Sequence, residues 1–447
     1  MMKKMALGFS LLALNCLAIA QETSTVVHPK WSVNASIYEA NIRQHSPEGS
    51  FKKFESYLPE LKKMGVGIIW IMPINPIGEK NRKGTLGSYY AVRDYKGVNP
   101  EFGTPADFKH LVDKIHSLGM KVIIDWVANH TAWDHPWASA HPDFYVRNEK
   151  GEFVPPDPDW HDVIKLDYSN KNVRLNMLDA MRFWVKEYNI DGFRCDVAEM
   201  VPTDFWNEAR AELDKIKPVF MLAEGEKPDL HQHAFDMTYA WKLKNIFGDI
   251  AQGKKTASAI NEYLLEDKKQ YHANAYRMVH TSNHDLNSWE GTEFERLGDA
   301  AEAFLALSTV MEGMPLLYSG QEAGNTKRLD FFERDPIKWK PHPFKKIYST
   351  LFNLKKSNQA LWNGQAGAMQ TEITTNKPNA IMAFSRSKDK DTVVGVFNLS
   401  PLPQSFTFTS GLPAGRFKNV FSSKNIALEN GSTVNLKPWE YRILIRQ

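Results

Sequence analysis

Cysteine is nearly missing from this chain of 447 residues, which carries only Cys16 and Cys195. Cys16 sits in an N-terminal segment that reads as removable, so Cys195 stands alone and an intrachain disulfide is excluded. A surplus of either charge is missing as well: 55 Lys and Arg face 52 Asp and Glu, a net of +3. Losing Lys3 and Lys4 with the N-terminal segment lowers this to +1. A nearly neutral chain offers no electrostatic reason to expect nucleic acid or an anionic membrane surface as partner. Internal repeats and low-complexity runs are absent too. At 43% hydrophobic and 12% aromatic, the composition is that of a globular protein with one large domain and a smaller one.

Long apolar runs are confined to the start, "MMKKMALGFSLLALNCLAIA". Two lysines, an apolar core and a small-residue ending, Ala18-Ile19-Ala20, have the pattern of a cleaved secretory signal over residues 1–20. The run is shorter than the roughly 20 residues that span a bilayer, so no stable membrane insertion is expected. Asn15 is not the small residue expected before a lipid-modified cysteine at position 16. The protein is expected to be exported, periplasmic or secreted, after cleavage near Ala20. A large core without disulfides suits that address.

What the chain does have is rhythm. "SIYEANI" (36–42), "GIIWIMPI" (67–74), "KVIIDWV" (121–127), "DGFRCDV" (191–197) and "PVFMLAEGE" (218–226) read as strands. "FDMTYA" (235–240), "RMVHTSNHD" (277–285) and "MPLLYSGQE" (314–322) complete eight. Amphipathic segments lie between them, such as 104–119, with Thr104 as N-cap and Gly119 as its stop. Continuous apolar strands indicate parallel sheet covered on both faces. Eight such units predict an α/β fold, a closed (β/α)8 TIM barrel, over 31–126 and 171–361. Residues 127–170, rich in Trp, His, Pro and Asp, are expected to form a small insertion after the third strand. From 362 to 447 alternating segments predict a C-terminal antiparallel β-sandwich.

Acids fall where such a barrel places its active site, at the C-terminal ends of strands: Asp125, Asp196, Glu224 and Asp285. One of them alone would read as a cap or an ion-pair partner. Several converging on one rim repel each other, which stability alone does not explain. Glycosidic cleavage uses such a cluster: one carboxyl protonates the departing oxygen and another attacks the anomeric carbon or activates water. Tyr89, Tyr90, Trp126, Trp133, Trp137 and Trp160 are candidate sugar-stacking rings, though each alone reads more readily as core.

Six segments then resemble the α-amylase family, glycoside hydrolase family 13: "GSYYAVRDY" (87–95), "DWVANH" (125–130), "GFRCD" (192–196), "LAEGE" around Glu224, "TSNHD" (281–285) and "GMPLLYSGQE" (313–322). They occur in the family's order and the resemblance covers about 31–447. It implies that Asp196 is the nucleophile of a covalent glycosyl-enzyme, Glu224 the general acid and then base, and Asp285 a transition-state stabiliser. It implies that Arg194 keeps Asp196 ionised and oriented, that His130 and His284 bond the reacting sugar, and that Tyr90 stacks beneath it. Asp94 and Asp125 are expected as supporting rim acids. No cofactor is required for this chemistry.

The chain also departs from the family. Many endo-acting members follow the nucleophile with Lys-His, where this chain has Val197, Ala198, Glu199 and Met200. A structural calcium ion stays open, with Asn129 where the family places one ligand. The "DVA" start leans toward members acting on maltooligosaccharides and cyclomaltodextrins. Those commonly carry an N-terminal β-domain, and here the barrel follows the signal at once. The implied function is retaining cleavage of α-1,4-glucosidic bonds in starch-derived glucans or maltooligosaccharides. An α-glucosidase, a cyclomaltodextrinase or neopullulanase, or a transglycosylase on the same scaffold stays open beside it. A catalytically dead binding protein would have lost a carboxylate, and all three are present. Asp191 is expected to be structural, Cys195 a buried hydrophobe, and Glu199 a determinant of substrate choice.

Overall fold

The computed structural model describes residues 24–422 and 425–447. The expected signal at 1–20 lies outside them. Among the described residues no helix is long and apolar enough to cross a membrane.

All eight expected strands form, each shorter than its apolar run. They are Ile37–Ala40, Ile68–Ile71, Lys121–Trp126, Gly192–Cys195, Phe220–Ala223, Met237–Tyr239, Tyr276–Val279 and Met314–Tyr318. Each pairs in parallel with its neighbours, and the eighth returns to the first through Ile37 opposite Leu316, closing the barrel. Period-two alternation sorts the side chains. Ile37, Ile68, Ile123, Phe220, Leu222, Met237, Met278 and Leu316 fill the interior, while Val122, Ile124, Phe193, Met221 and Ala223 face the helical layer. The barrel is therefore a packed core whose apolar floor gives way to polar residues only at the C-terminal rim.

The helices obey their sequence signals. Helix Pro105–Ser117 begins with a capping box, Thr104 and Asp107 each accepting from the other's backbone N–H. Gly119 follows it at φ +70°. Helix Lys171–Glu187 is capped by Asn170 and resumes the barrel where expected. Between the third strand and this helix, a two-stranded antiparallel pair, His130–Ala132 with Val163–Lys165, anchors the insertion to the rim.

Beyond helix Pro343–Ser357 lies a β-sandwich of six and three strands. Strand Ile381–Lys388 is buried on both faces. Ile381 and Ala383 pack between the sheets, and Met382 and Phe384 join the barrel's outer core. From this strand the buried Arg386 donates to the Met311 carbonyl at 2.8 Å, tying the sandwich to the barrel.

Candidate active site

Arg194 lies inside the fourth strand, fully buried, and organises the rim. Its Nη1 donates to Asp125 Oδ1 and to Asp196 Oδ1, both at 3.0 Å, and its Nε donates to the Tyr239 hydroxyl at 3.2 Å. Its Nη2 stands 2.9 Å from Glu224 Oε2 but off the line of a hydrogen bond, so this contact is coulombic. Burial works against the guanidinium charge, and Asp125 and Glu224 outweigh it and hold the group charged. One cation thus serves carboxylates from the third, fourth and fifth strands.

A second chain of contacts crosses the rim from the first strand. His284 Nδ1 lies 2.5 Å from Glu39 Oε1, and His284 Nε2 lies 2.8 Å from the Tyr90 hydroxyl and 3.2 Å from Asp285 Oδ2. Burial opposes the charge on His284, but Asp285 and Glu39 override it and raise the ring to about 9. The ring is therefore a cation at neutral pH and donates from both nitrogens. The Tyr90 hydroxyl in turn donates to Asp125 Oδ2 at 3.1 Å, as does Trp70 Nε1. The order Glu39, His284, Tyr90, Asp125, Arg194, Asp196 is one continuous buried network.

Asp196 departs from the sequence expectation. Burial pushes its carboxyl well up, Glu224 adds to that, and Arg194 only partly opposes them. Arg194 orients Asp196, and burial outweighs the pull of its charge on the carboxyl. Asp125, fully buried, is raised as well, chiefly by burial.

Asp196, Glu224, Asp285, Tyr90, His130 and His284 all line one cleft of about 740 Å³. His130 is buried and held neutral, lowered to about 4 by desolvation. The six residues that the resemblance gives catalytic or sugar-contacting roles are therefore brought together, with Arg194 beside them. Other expectations fail. Asp94 is exposed on a loop, takes the Lys96 N–H at 2.9 Å, and supports nothing at the rim. Trp126 has the opposite parity to Asp125 and packs outward against Tyr95 and Phe193. Trp137 packs within the insertion on Phe144, Trp133 sits by Phe153, and Tyr89 is buried under Arg43. Of the six rings only Tyr90 and Trp160 reach the cleft, which Trp289, Phe331 and Phe332 complete from two other loops.

Glu199 sits behind the turn that follows Glu224. It accepts from the N–H groups of Glu226 at 2.5 Å and Lys227 at 2.9 Å, clamping the turn that follows Glu224. Gly225 is required there, since a Cβ would lie 2.5 Å from Glu199 Cγ. Val197, a β-branched residue at φ +35°, aims its N–H at Glu224 Oε2 at 2.7 Å. Such a backbone costs on the order of 1–3 kcal/mol and persists only where its surroundings enforce it. Asn129, which stands where the family places one calcium ligand, faces His130 Nδ1 at 3.3 Å and Met200 Sδ at 4.0 Å. Calcium takes roughly six to eight oxygens, and these neighbours do not fit it. Among the described residues no group of three or more His, Cys, Asp or Glu side chains is arranged for a metal.

Comparison with known proteins agrees with this geometry. The family model for the alpha amylase catalytic domain matches residues 35–162 and 158–393. The chain belongs to the alpha-amylase family. It is accordingly a glycoside hydrolase, and a second model, the maltogenic amylase C-terminal domain, matches residues 371–443. The solved noncanonic maltogenic alpha-amylase AmyB of Thermotoga neapolitana is 30% identical, with a TM-score of 0.85 over 92% of this chain and 98% of that one. Alpha-amylase MalA of Haloarcula japonica is 27% identical over 87% of this chain, which spans 58% of that relative's length. The maltogenic alpha-amylase of Bacillus acidopullulyticus is 26% identical over 89% of this chain and 70% of its own length.

Proposed function

We propose that the protein is a retaining hydrolase of α-1,4-glucosidic bonds in starch-derived glucans or maltooligosaccharides. The observation that carries this reading is the pairing of Asp196 and Glu224 with the single guanidinium of Arg194 at the floor of one cleft. Asp196 attacks the anomeric carbon as Glu224 gives its proton to the departing oxygen, breaking the C–O bond and leaving a glycosyl ester on Asp196. Glu224 then takes a proton from water, which releases the sugar with its anomeric configuration retained. The short span of one guanidinium favours the close carboxyl separation, roughly 5–5.5 Å, of retaining pairs.

The neighbours have separate tasks in this scheme. Asp285, its side chain 38% exposed at the rim, supplies negative charge against the oxocarbenium-like centre. His284 and His130 meet sugar hydroxyls, and Tyr90 offers its ring. The first step needs a proton on Glu224 with Asp196 bare. The names of the relatives, maltogenic and alpha-amylases, support an α-glucan substrate. Export after cleavage near Ala20 belongs to the same proposal, and N-terminal sequencing of the mature protein is expected to begin at Gln21.

Incubation with maltoheptaose tests the reading, with the first product followed by proton NMR. The wild type is expected to yield the α-anomer and Asp196→Ala to yield background. A β-anomer, or equal rates for both proteins, would contradict it.

A further inference from the structure

One end of the cleft is closed by a short segment in the loop after the second strand. Lys83 Nζ donates to the Asp159 carbonyl at 2.6 Å and pairs with Asp162 Oδ1 at 3.3 Å, both on the insertion. Asp162 is buried, and Lys83 itself lines the cleft. Immediately beyond Lys83 the same segment is fixed to the opposite wall. Thr85 N–H donates to Glu333 Oε1 at 2.6 Å, and Leu86 N–H donates to the Phe332 carbonyl at 3.1 Å. Gly84, at φ +63°, lies so close to that wall that a Cβ would come within 2.5 Å of Phe332 Cβ. Residues 83–86 therefore cross from wall to wall and are pinned on both sides.

Barrel order says which end this is. The loops after the second and eighth strands flank the first strand, and the fifth strand, which carries Glu224, lies diametrically across the barrel. A general acid protonates the oxygen of the departing chain, so the leaving sugars exit past Glu224. The closed end faces the sugars that remain on Asp196, which are those on the non-reducing side of the cut.

We propose that residues 83–86 form an end wall, latched by Lys83, that leaves room for only one or two glucose units on that side. The enzyme then works inward from non-reducing chain ends and releases glucose or maltose, instead of cutting in mid-chain. This inference rests on the α-glucan hydrolase reading above and adds direction and product length to it.

The test compares maltoheptaose with maltoheptaose blocked at its non-reducing end by a 4,6-benzylidene group. The wild-type protein is expected to degrade the free chain, with glucose or maltose as first product, and to leave the blocked chain intact. Equal cleavage of both chains, or maltotriose with maltotetraose as the first pair of products, would overturn the end wall while leaving the hydrolase reading standing. Cleavage of neither would overturn the hydrolase reading itself. In Lys83→Ala, the blocked chain is expected to become a substrate and the share of first cuts giving maltotriose with maltotetraose to rise. An unchanged product pattern in a folded Lys83→Ala protein would overturn the role of Lys83, and the wild-type comparison decides the matter should that variant not fold.

Discussion

Asp191 and Asp196 flank the same four-residue strand, and the protein treats them in opposite ways. Asp191, at the start, takes hydrogen bonds from His116 Nε2 at 2.6 Å, Lys217 Nζ at 3.0 Å and the Val122 N–H at 3.0 Å. Burial alone would raise its carboxyl, but these donors override it and hold it at about 2. Asp196, at the exit, shares one arginine with Asp125 and Glu224 and is pushed up. Both are buried aspartates beside cations. The difference lies in the ratio: several donors for one acid at the floor, several acids for one guanidinium at the rim. The first arrangement stabilises a fold, and the second gathers the carboxyls that the chemistry needs.

The comparison can be broken from either end. Asp196→Asn is expected to lower kcat by about 10⁴-fold or more, as loss of a nucleophile does, with no loss of thermal stability, because it relieves a crowded set of carboxyls. Asp191→Asn should do the reverse, leaving activity per folded molecule intact while lowering unfolding free energy at neutral pH by about 2 kcal/mol, because the folded carboxyl is held at about 2. The sign follows from its lowered folded value: the stabilisation is present above the unfolded pKa and disappears as pH falls toward about 2. Denaturant melts of both variants against pH measure this.

His284 sharpens the contrast at the alkaline side. Its raised value of about 9 predicts that kcat/KM falls above pH 9, as the ring loses the charge facing Asp285 and Glu39. Because the folded value exceeds the unfolded one, its contribution to stability is complete below about 6.5 and is lost as pH rises through 9. Glu39→Gln is expected to move that limb to lower pH. A limb that stays in place would detach His284 from the reaction.

The smallest expected effect is at Glu199. Glu199→Ala should lower kcat on the order of tenfold, short of the hundredfold that an ångström of misplacement can cost, by loosening the turn behind Glu224. Glu199→Gln retains an acceptor oxygen for both N–H groups and should restore most of the rate with KM unchanged. Equal damage from both substitutions would mean that the carboxylate charge, not the clamp, is what matters.

How much of this could be read from the sequence depends on distance along the chain. Asp125, Asp196 and Glu224 were legible because a strand's apolar run ends on them. Trp126 could have been excluded from the rim by the same alternation, since it follows Asp125 directly. Glu39 was missed although it stands at the end of its own strand, in "SIYEANI". Its meaning comes from His284, 245 residues away, and only barrel closure brings the two together. Phe331 and Phe332 lie in a loop without periodicity and Trp289 in a helix of only five residues, Leu286–Glu290, so no local pattern marks them as cleft walls. Asp94 shows the converse error. It belongs to a family motif, but it sits in the loop beyond the cleft, facing solvent. Glu199 was recognised as a point of difference, while its work, holding the turn after Glu224, required the geometry of two neighbouring strands.

The central claim is that Asp196, and not Asp191 a few residues earlier, carries the sugar during the reaction. Glu224→Gln treated with α-maltosyl fluoride, whose departure needs no acid, should accumulate the glycosyl-enzyme. Peptide mapping by tandem mass spectrometry is expected to place the maltosyl ester on Asp196. An ester on Asp191 or on any other residue, or full turnover with no adduct at all, would contradict the account.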